Sequence, residues 1–386
     1  MAHYVRLGQV PPKRHTQFRK PDGELYAEQV FGTKGFSGIA SILYHANLPT
    51  QVVGYEFLKD LKPEVLGDEP LRHRHLKTAG FAPHGDPVSG RVPLLVNEDV
   101  SMGLCRPVAS MDYFYKNADG DDLLFVHHGH GRLETMFGTL PYREGDYLII
   151  PRGTIYRVVA ESAETTMLVI ESSASTIEPP RRYRNEYGQL LEHAPYCERD
   201  IRAPETLEFH DERGRYEVRI KARGRLTAYE YDFHPLDVVG WDGYLYPWAI
   251  SIHDFEPVTG SIHQPPPTHQ MFEAHNFVVC SFVPRMLDYH PQAVPVPYNH
   301  SNLDSDEVLY YVNGNFASRR GVEMGSITLH PSGLPHGPQP GAVEASLGKT
   351  RTEELAVMLD TFRPLRMTRA AAALEDDSYP FSWKPR

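Results

Sequence analysis

Two stretches of the chain share one skeleton. Residues 145–156, GDYLIIPRGTIY, and residues 325–336, GSITLHPSGLPH, both run Gly, five residues, Pro, one residue, Gly, two residues and then an aromatic ring or imidazole. In each, the glycine and the proline bracket a short apolar run, the pattern of a strand entering a tight turn. Upstream, an acid followed by six residues and a glycine occurs twice, from Asp122 to Gly129 and from Glu307 to Gly314. Seven residues before each acid stand Tyr115 and His300. A repeat of this kind marks two copies of one small β-unit.

The rest of the chain agrees with that reading. Its 33 prolines and 30 glycines separate short apolar segments such as LLFVH, YLIIP, MLVIES, FVVCSFVP, EVLYYVNG and SITLHP. Short runs rich in Val, Ile, Tyr and Phe between turn residues predict an all-β protein of two barrels or sandwiches. RMTRAAAALEDD near the C-terminus is the clearest helical pattern and is expected to pack outside. The charged stretch at residues 198–215 predicts a division into an N-terminal domain, 1–205, and a C-terminal domain, 206–386. A net charge of -11 argues against a nucleic-acid surface, and no apolar run is long enough to span a membrane. Cys105, Cys197 and Cys280 form no Cys-x-x-Cys pair, so reduced thiols and a cytoplasmic setting are expected.

The two copies differ where chemistry would sit. The second has His300, Glu307 and His336; the first has Tyr115, Asp122 and Tyr156. This two-part spacing resembles the cupin signature, so the fold expected is a bicupin, two jelly-roll barrels. Inward positions of neighbouring strands converge in a small barrel, and two imidazoles with one carboxylate suit Fe(II) with open positions left over. Asn302 stands where cupins usually carry a further histidine, so three protein ligands are expected. The first copy is expected to be metal-free. His330, six residues before His336, is placed to orient a ligand or touch substrate. In SIHQPPPTHQ, His263 is preferred over His269 as a base near neutral pH.

Several segments together resemble the homogentisate 1,2-dioxygenase family: LYAEQ at 25–29, LYHANLP at 43–49, LDVVGWDG at 236–243, YNHSN with Glu307, LHPSGLPHGP at 329–338 and LAVMLDTFRP at 355–364. The resemblance implies an Fe(II) enzyme that opens the ring of homogentisate with dioxygen to give maleylacetoacetate, in tyrosine and phenylalanine catabolism. It implies His300, Glu307 and His336 as iron ligands, His263 as the base, and His330, Tyr298 and His336 near the substrate. It also implies assembly into a homo-oligomer. Two departures bear on the substrate: the His263 loop reads Ile-His-Gln-Pro, and Phe316 stands where a substrate-contacting tyrosine is common in the family. A related dioxygenase acting on another hydroxylated aromatic acid, or a non-catalytic metal-binding bicupin, stands as the alternative.

Overall fold

The computed structural model describes residues 3–67, 69–313 and 321–384. Gly314 and Phe316 lie outside the described residues. The apolar runs of the first repeat are strands Asp122–His128, Asp146–Ile150 and Thr166–Ser172, paired antiparallel with Asp122–His128 in the middle. These strands are apolar without alternation because both faces are buried. Leu123, Phe125, Tyr147, Ile149, Leu168 and Ile170 point into a core shared with the second unit. Leu124, Val126, Leu148, Ile150, Met167 and Val169 fill the interior of the first barrel.

The second repeat builds a six-stranded sheet in which Asp306–Asn313 lies between Leu355–Thr361 and Ile327–His330. Its face towards the shared core carries Val308, Tyr310, Ile327, Leu329, Val357 and Leu359. Strand alternation therefore turns Glu307, His330 and Asp360 to the other face, where Glu307 is directly opposite both His330 and Asp360. One face holds the unit in place and the other is free to carry a site.

The expected boundary after residue 205 does not separate the sheets. Strands Arg213–Ala222, Arg225–Phe233, Val238–Gly243 and Trp248–Ser251 join sheets of the first unit, whereas Arg74–Leu76 forms the edge of the six-stranded sheet. Within the charged connection, residues 201–212 form a loop between a short 3-10 turn and strand Arg213–Ala222, and edge pairing crosses it in both directions. The C-terminal helix is one turn, Arg369–Ala372, with the Thr368 side chain accepting from the Ala371 N–H at 3.2 Å. Ala371 is fully buried while Arg369 and Ala370 are exposed, so the turn packs on the outside of the core with one face against it.

LYAEQ, LYHANLP and LDVVGWDG meet in one place. Their strands Ala27–Gly32, Ala40–His45 and Val238–Gly243 lie in a four-stranded sheet. There His45 Nδ1 meets Asp237 Oδ1 at 2.8 Å and His45 Nε2 meets Gln29 at 2.8 Å. The other Asp237 oxygen accepts from the Asn47 backbone at 2.8 Å. Trp241 donates to the Phe137 carbonyl at 2.7 Å. These buried polar groups need partners of fixed type, which makes the motifs structural.

Candidate metal centre

His300 and His336 face each other across an isolated antiparallel bridge, each backbone N–H donating to the other's carbonyl at 2.8 Å. The turn that brings His336 there runs through Gly333, whose φ of +81° is favourable for glycine alone among common residues. Gly333 N–H donates to the Asn302 carbonyl at 2.7 Å, so Asn302 serves the turn through its backbone. Glu307 Oε2 lies 3.5 Å from His300 Nε2, and Oε1 lies 3.4 Å from His336 Nε2. Among the described residues, this trio is the group of His, Cys, Asp and Glu whose donor atoms converge, all within 4.8 Å.

The donor set fits a divalent ion. His336 Nε2 is buried, points at the carboxylate and makes no hydrogen bond, a position that a cation would satisfy. Two ligands at right angles on an octahedral metal, at roughly 2.1 Å each, are about 3 Å apart, close to the separations found here. Burial would raise the Glu307 carboxyl, yet the three imidazoles of His300, His330 and His336 gathered around it hold it well below the usual range. Asp360 behaves oppositely: burial, with the Glu307 charge as a second cause, holds it well above the usual range and therefore neutral.

Behind the trio, His330 is fully buried and spans two partners. Its Nδ1 is 2.9 Å from Glu307 Oε1 and its Nε2 is 3.0 Å from the Tyr379 hydroxyl. Its ring stacks on His336 at 4.5 Å. His330 does not line the neighbouring cavity, and its contact with Glu307 suits the expected role of orienting a ligand. Tyr379, Trp383 and His73, which surround His330 and His336, escaped the sequence reading because they lie far outside both motifs. Only the spacing of a tail aromatic pair hints at them, and that is no specific signal.

The cavity beside His300 holds about 360 Å³ and is lined by His263, Arg285, Tyr298, His300, Pro338 and Thr352 among others. A hollow of about 490 Å³ near Leu66, Arg74, Asp306 and Met367 carries none of the trio. The Tyr298 ring stands between His263, at 5.3 Å, and His300, at 5.9 Å. His263 Nδ1 is 3.5 Å from Asp288 Oδ2. Burial lowers its pKa, partly countered by the Asp288 charge. His269 is instead buried against Phe282, with ring centroids 4.6 Å apart, and burial pushes its pKa down to about 3. It does not line the cavity.

The His269 shift has a consequence for acid stability. In the unfolded chain its imidazole takes up a proton below about pH 6.5, whereas in the folded chain it stays neutral down to about 3. The unfolded state then binds more protons, so stability is lost as pH falls from about 6.5 towards 3. The loss at pH 4 is on the order of 3 kcal/mol relative to neutral pH. Denaturant titrations of wild type and His269→Phe at pH 7 and pH 4 are expected to show a smaller acid loss in the variant; equal losses would rule this out.

The first barrel repeats the backbone arrangement with other side chains. Tyr115 and Tyr156 pair across an antiparallel bridge, as His300 and His336 do, and the Tyr156 hydroxyl donates to Asp122 Oδ2 at 2.5 Å. Arg91 fills the remaining space, 3.3 Å from Asp122 and 3.0 Å from Glu171.

The family described as homogentisate 1,2-dioxygenase N-terminal matches residues 51–252. A Saccharolobus solfataricus protein provisionally named a dioxygenase is 44% identical over 389 residues, covering 99% of both chains. Homogentisate 1,2-dioxygenase of Rhizobium etli is 28% identical over 293 residues, which are 70% of this chain and 62% of that enzyme. The chain thus spans under two thirds of the length of that enzyme. Among solved structures, a cupin barrel protein of Leptotrichia buccalis aligns over 79% of this chain with a TM-score of 0.34 and 12% identity. With the family match covering more than half of the chain and a full-length relative at 44% identity, the chain belongs to the homogentisate 1,2-dioxygenase family.

Proposed function

We propose that the chain is an Fe(II)-dependent ring-cleaving dioxygenase that takes homogentisate and dioxygen to maleylacetoacetate, in tyrosine and phenylalanine catabolism. The observation that carries this reading is the convergence of His300, Glu307 and His336 beside a cavity that also presents His263 and Arg285. His300, Glu307 and His336 would hold the iron. Bound iron would supply open positions for a substrate oxygen and for dioxygen, and the electronic path between them.

The chain's own residues do the rest. Asp288 beside Nδ1 favours the Nδ1–H form of His263, leaving Nε2 as the atom that takes the phenolic proton. Its lowered pKa keeps that atom unprotonated at neutral pH. Arg285 donates to the Val283 carbonyl at 3.2 Å and forms no ion pair among the described residues, so its other N–H groups are available to a substrate carboxylate. Tyr298 offers a ring wall between base and ligand.

His263→Gln is expected to keep its iron and melt close to wild type, yet lose on the order of 100-fold in kcat. The wild-type rate should rise with pH through a value below 6.5 and then stay level, following the lowered His263 pKa. The variant should lack that rise. Near-normal turnover in His263→Gln would move the base elsewhere. The overall reading is tested by loading Fe(II) anaerobically, adding homogentisate and then air, and recording oxygen uptake with the ring-opened chromophore. The altered loop at His263 favours one second reading, another hydroxylated aromatic acid as substrate. A panel of such acids in the same assay decides between them. Iron binding without oxygen uptake on any of them would leave the non-catalytic bicupin.

A further inference from the structure

We propose that Tyr379, in the C-terminal tail, is a positioning residue of the metal centre, acting through His330 on Glu307. The inference rests on the reading of His300, Glu307 and His336 as metal ligands.

A carboxylate only accepts hydrogen bonds, so the 2.9 Å contact between His330 Nδ1 and Glu307 Oε1 requires the proton to be on Nδ1. A neutral imidazole then has Nε2 as an acceptor, and the Tyr379 hydroxyl, 3.0 Å away, is the donor that fits it. Tyr379 thereby stabilises the one tautomer that can hold Glu307. All three groups are buried, at 3% exposure for Tyr379, 0% for His330 and 5% for Glu307, so water does not replace either contact cheaply. A Glu307 oxygen that is anchored from behind keeps its aim towards His336, 3.4 Å in front.

The tail is built to hold this tyrosine still. The Asp376 N–H donates to the His75 carbonyl at 2.8 Å, and Lys77 Nζ meets Asp376 at 2.8 Å. Arg72 and Arg74 both bind Glu375, at 3.0 Å and 2.8 Å. Beyond Tyr379, the Trp383 indole donates to the Gly337 carbonyl at 3.1 Å, next to His336. Strand Arg74–Leu76, supplied by the first third of the chain, is thus the base on which the tail is mounted. Its place at the edge of the six-stranded sheet acquires a role in the site.

The test measures anaerobic Fe(II) affinity by competition with a chelator, in wild type, Tyr379→Phe, His330→Gln and the double variant. Removing one oxygen in Tyr379→Phe should weaken iron binding by about 10-fold or more, the range for lost outer partners of metal ligands, with the metal-free protein melting near wild type. The double variant should bind no more weakly than His330→Gln alone, because the proposed path from Tyr379 to Glu307 runs through His330. Wild-type affinity in Tyr379→Phe would overturn the proposal, as would losses that multiply in the double variant. If Tyr379→Phe does not fold, His330→Gln decides alone: unchanged affinity there removes the link. Failure of the metal reading looks different, with wild type itself taking up no Fe(II).

Discussion

Replacing Glu307 by alanine is expected to eliminate stoichiometric Fe(II) binding and, with it, turnover. The loss should exceed the roughly 10- to 100-fold that an outer hydrogen-bond partner costs. Glu307 is the only negative ligand in the trio, and both of its oxygens face a ligand histidine. Without it, two imidazoles remain, and Asp360 on the neighbouring strand is not among the converging donors. His336→Ala should behave similarly, because its buried Nε2 has no hydrogen-bond partner and faces Glu307. His300 stands at the cavity wall with 32% of its side chain exposed, so His300→Ala should lose iron with the least change in melting temperature. Metal analysis after Fe(II) loading and desalting checks all three. Full iron content in two of the three variants would sink the assignment.

What could be read in the sequence followed spacing. Glu307 and His336 were findable because a cupin-like barrel repeats one strand–turn frame, and an internal copy with Tyr115 and Tyr156 showed which positions were free to change. The strands were legible for the same reason, since LLFVH, YLIIP and EVLYYV are short, apolar and bounded by turn residues. Residues recruited across the chain were not legible. Arg74–Leu76 adds to a sheet whose other strands all follow residue 269, and no local pattern encodes such a partner. Tyr379 meets His330 across 49 residues through a tail whose fold is set by ion pairs to that same edge strand. His330 illustrates the limit in another way. Its spacing from His336 placed it near the metal, but only the register with Glu307 shows that it faces the ligand's back instead of the cavity.

Arg91→Met is expected to destabilise the protein by about 3–5 kcal/mol, the cost of leaving a buried ion pair without one partner. Arg91 sits at the centre of the first barrel with 8% of its side chain exposed. It binds Asp122 at 3.3 Å and Glu171 at 3.0 Å, donates to the Tyr156 hydroxyl at 2.9 Å, and lies 5.4 Å from the Tyr115 ring centre. Lys221 supports the same cluster, 2.7 Å from Glu171. Burial alone would raise the Glu171 carboxyl, but Lys221 and Arg91 pull it well below the usual range, so Glu171 is ionised. The guanidinium thus supplies internally the positive charge that a metal would supply in the second barrel, and a planar fork reaches two acids and a phenol at once. Arg91→Lys keeps the charge but loses the fork and should fall between wild type and Arg91→Met. Unfolding midpoints in denaturant rank the three proteins. Because Arg91 and the Tyr156 hydroxyl already occupy Asp122 Oδ2, wild type should bind one iron per chain at saturation. Two tightly bound ions, with one lost on Asp122→Asn, would show that the first barrel keeps a metal site after all; a stability of Arg91→Met within about 1 kcal/mol of wild type would show that the acids do not depend on this arginine.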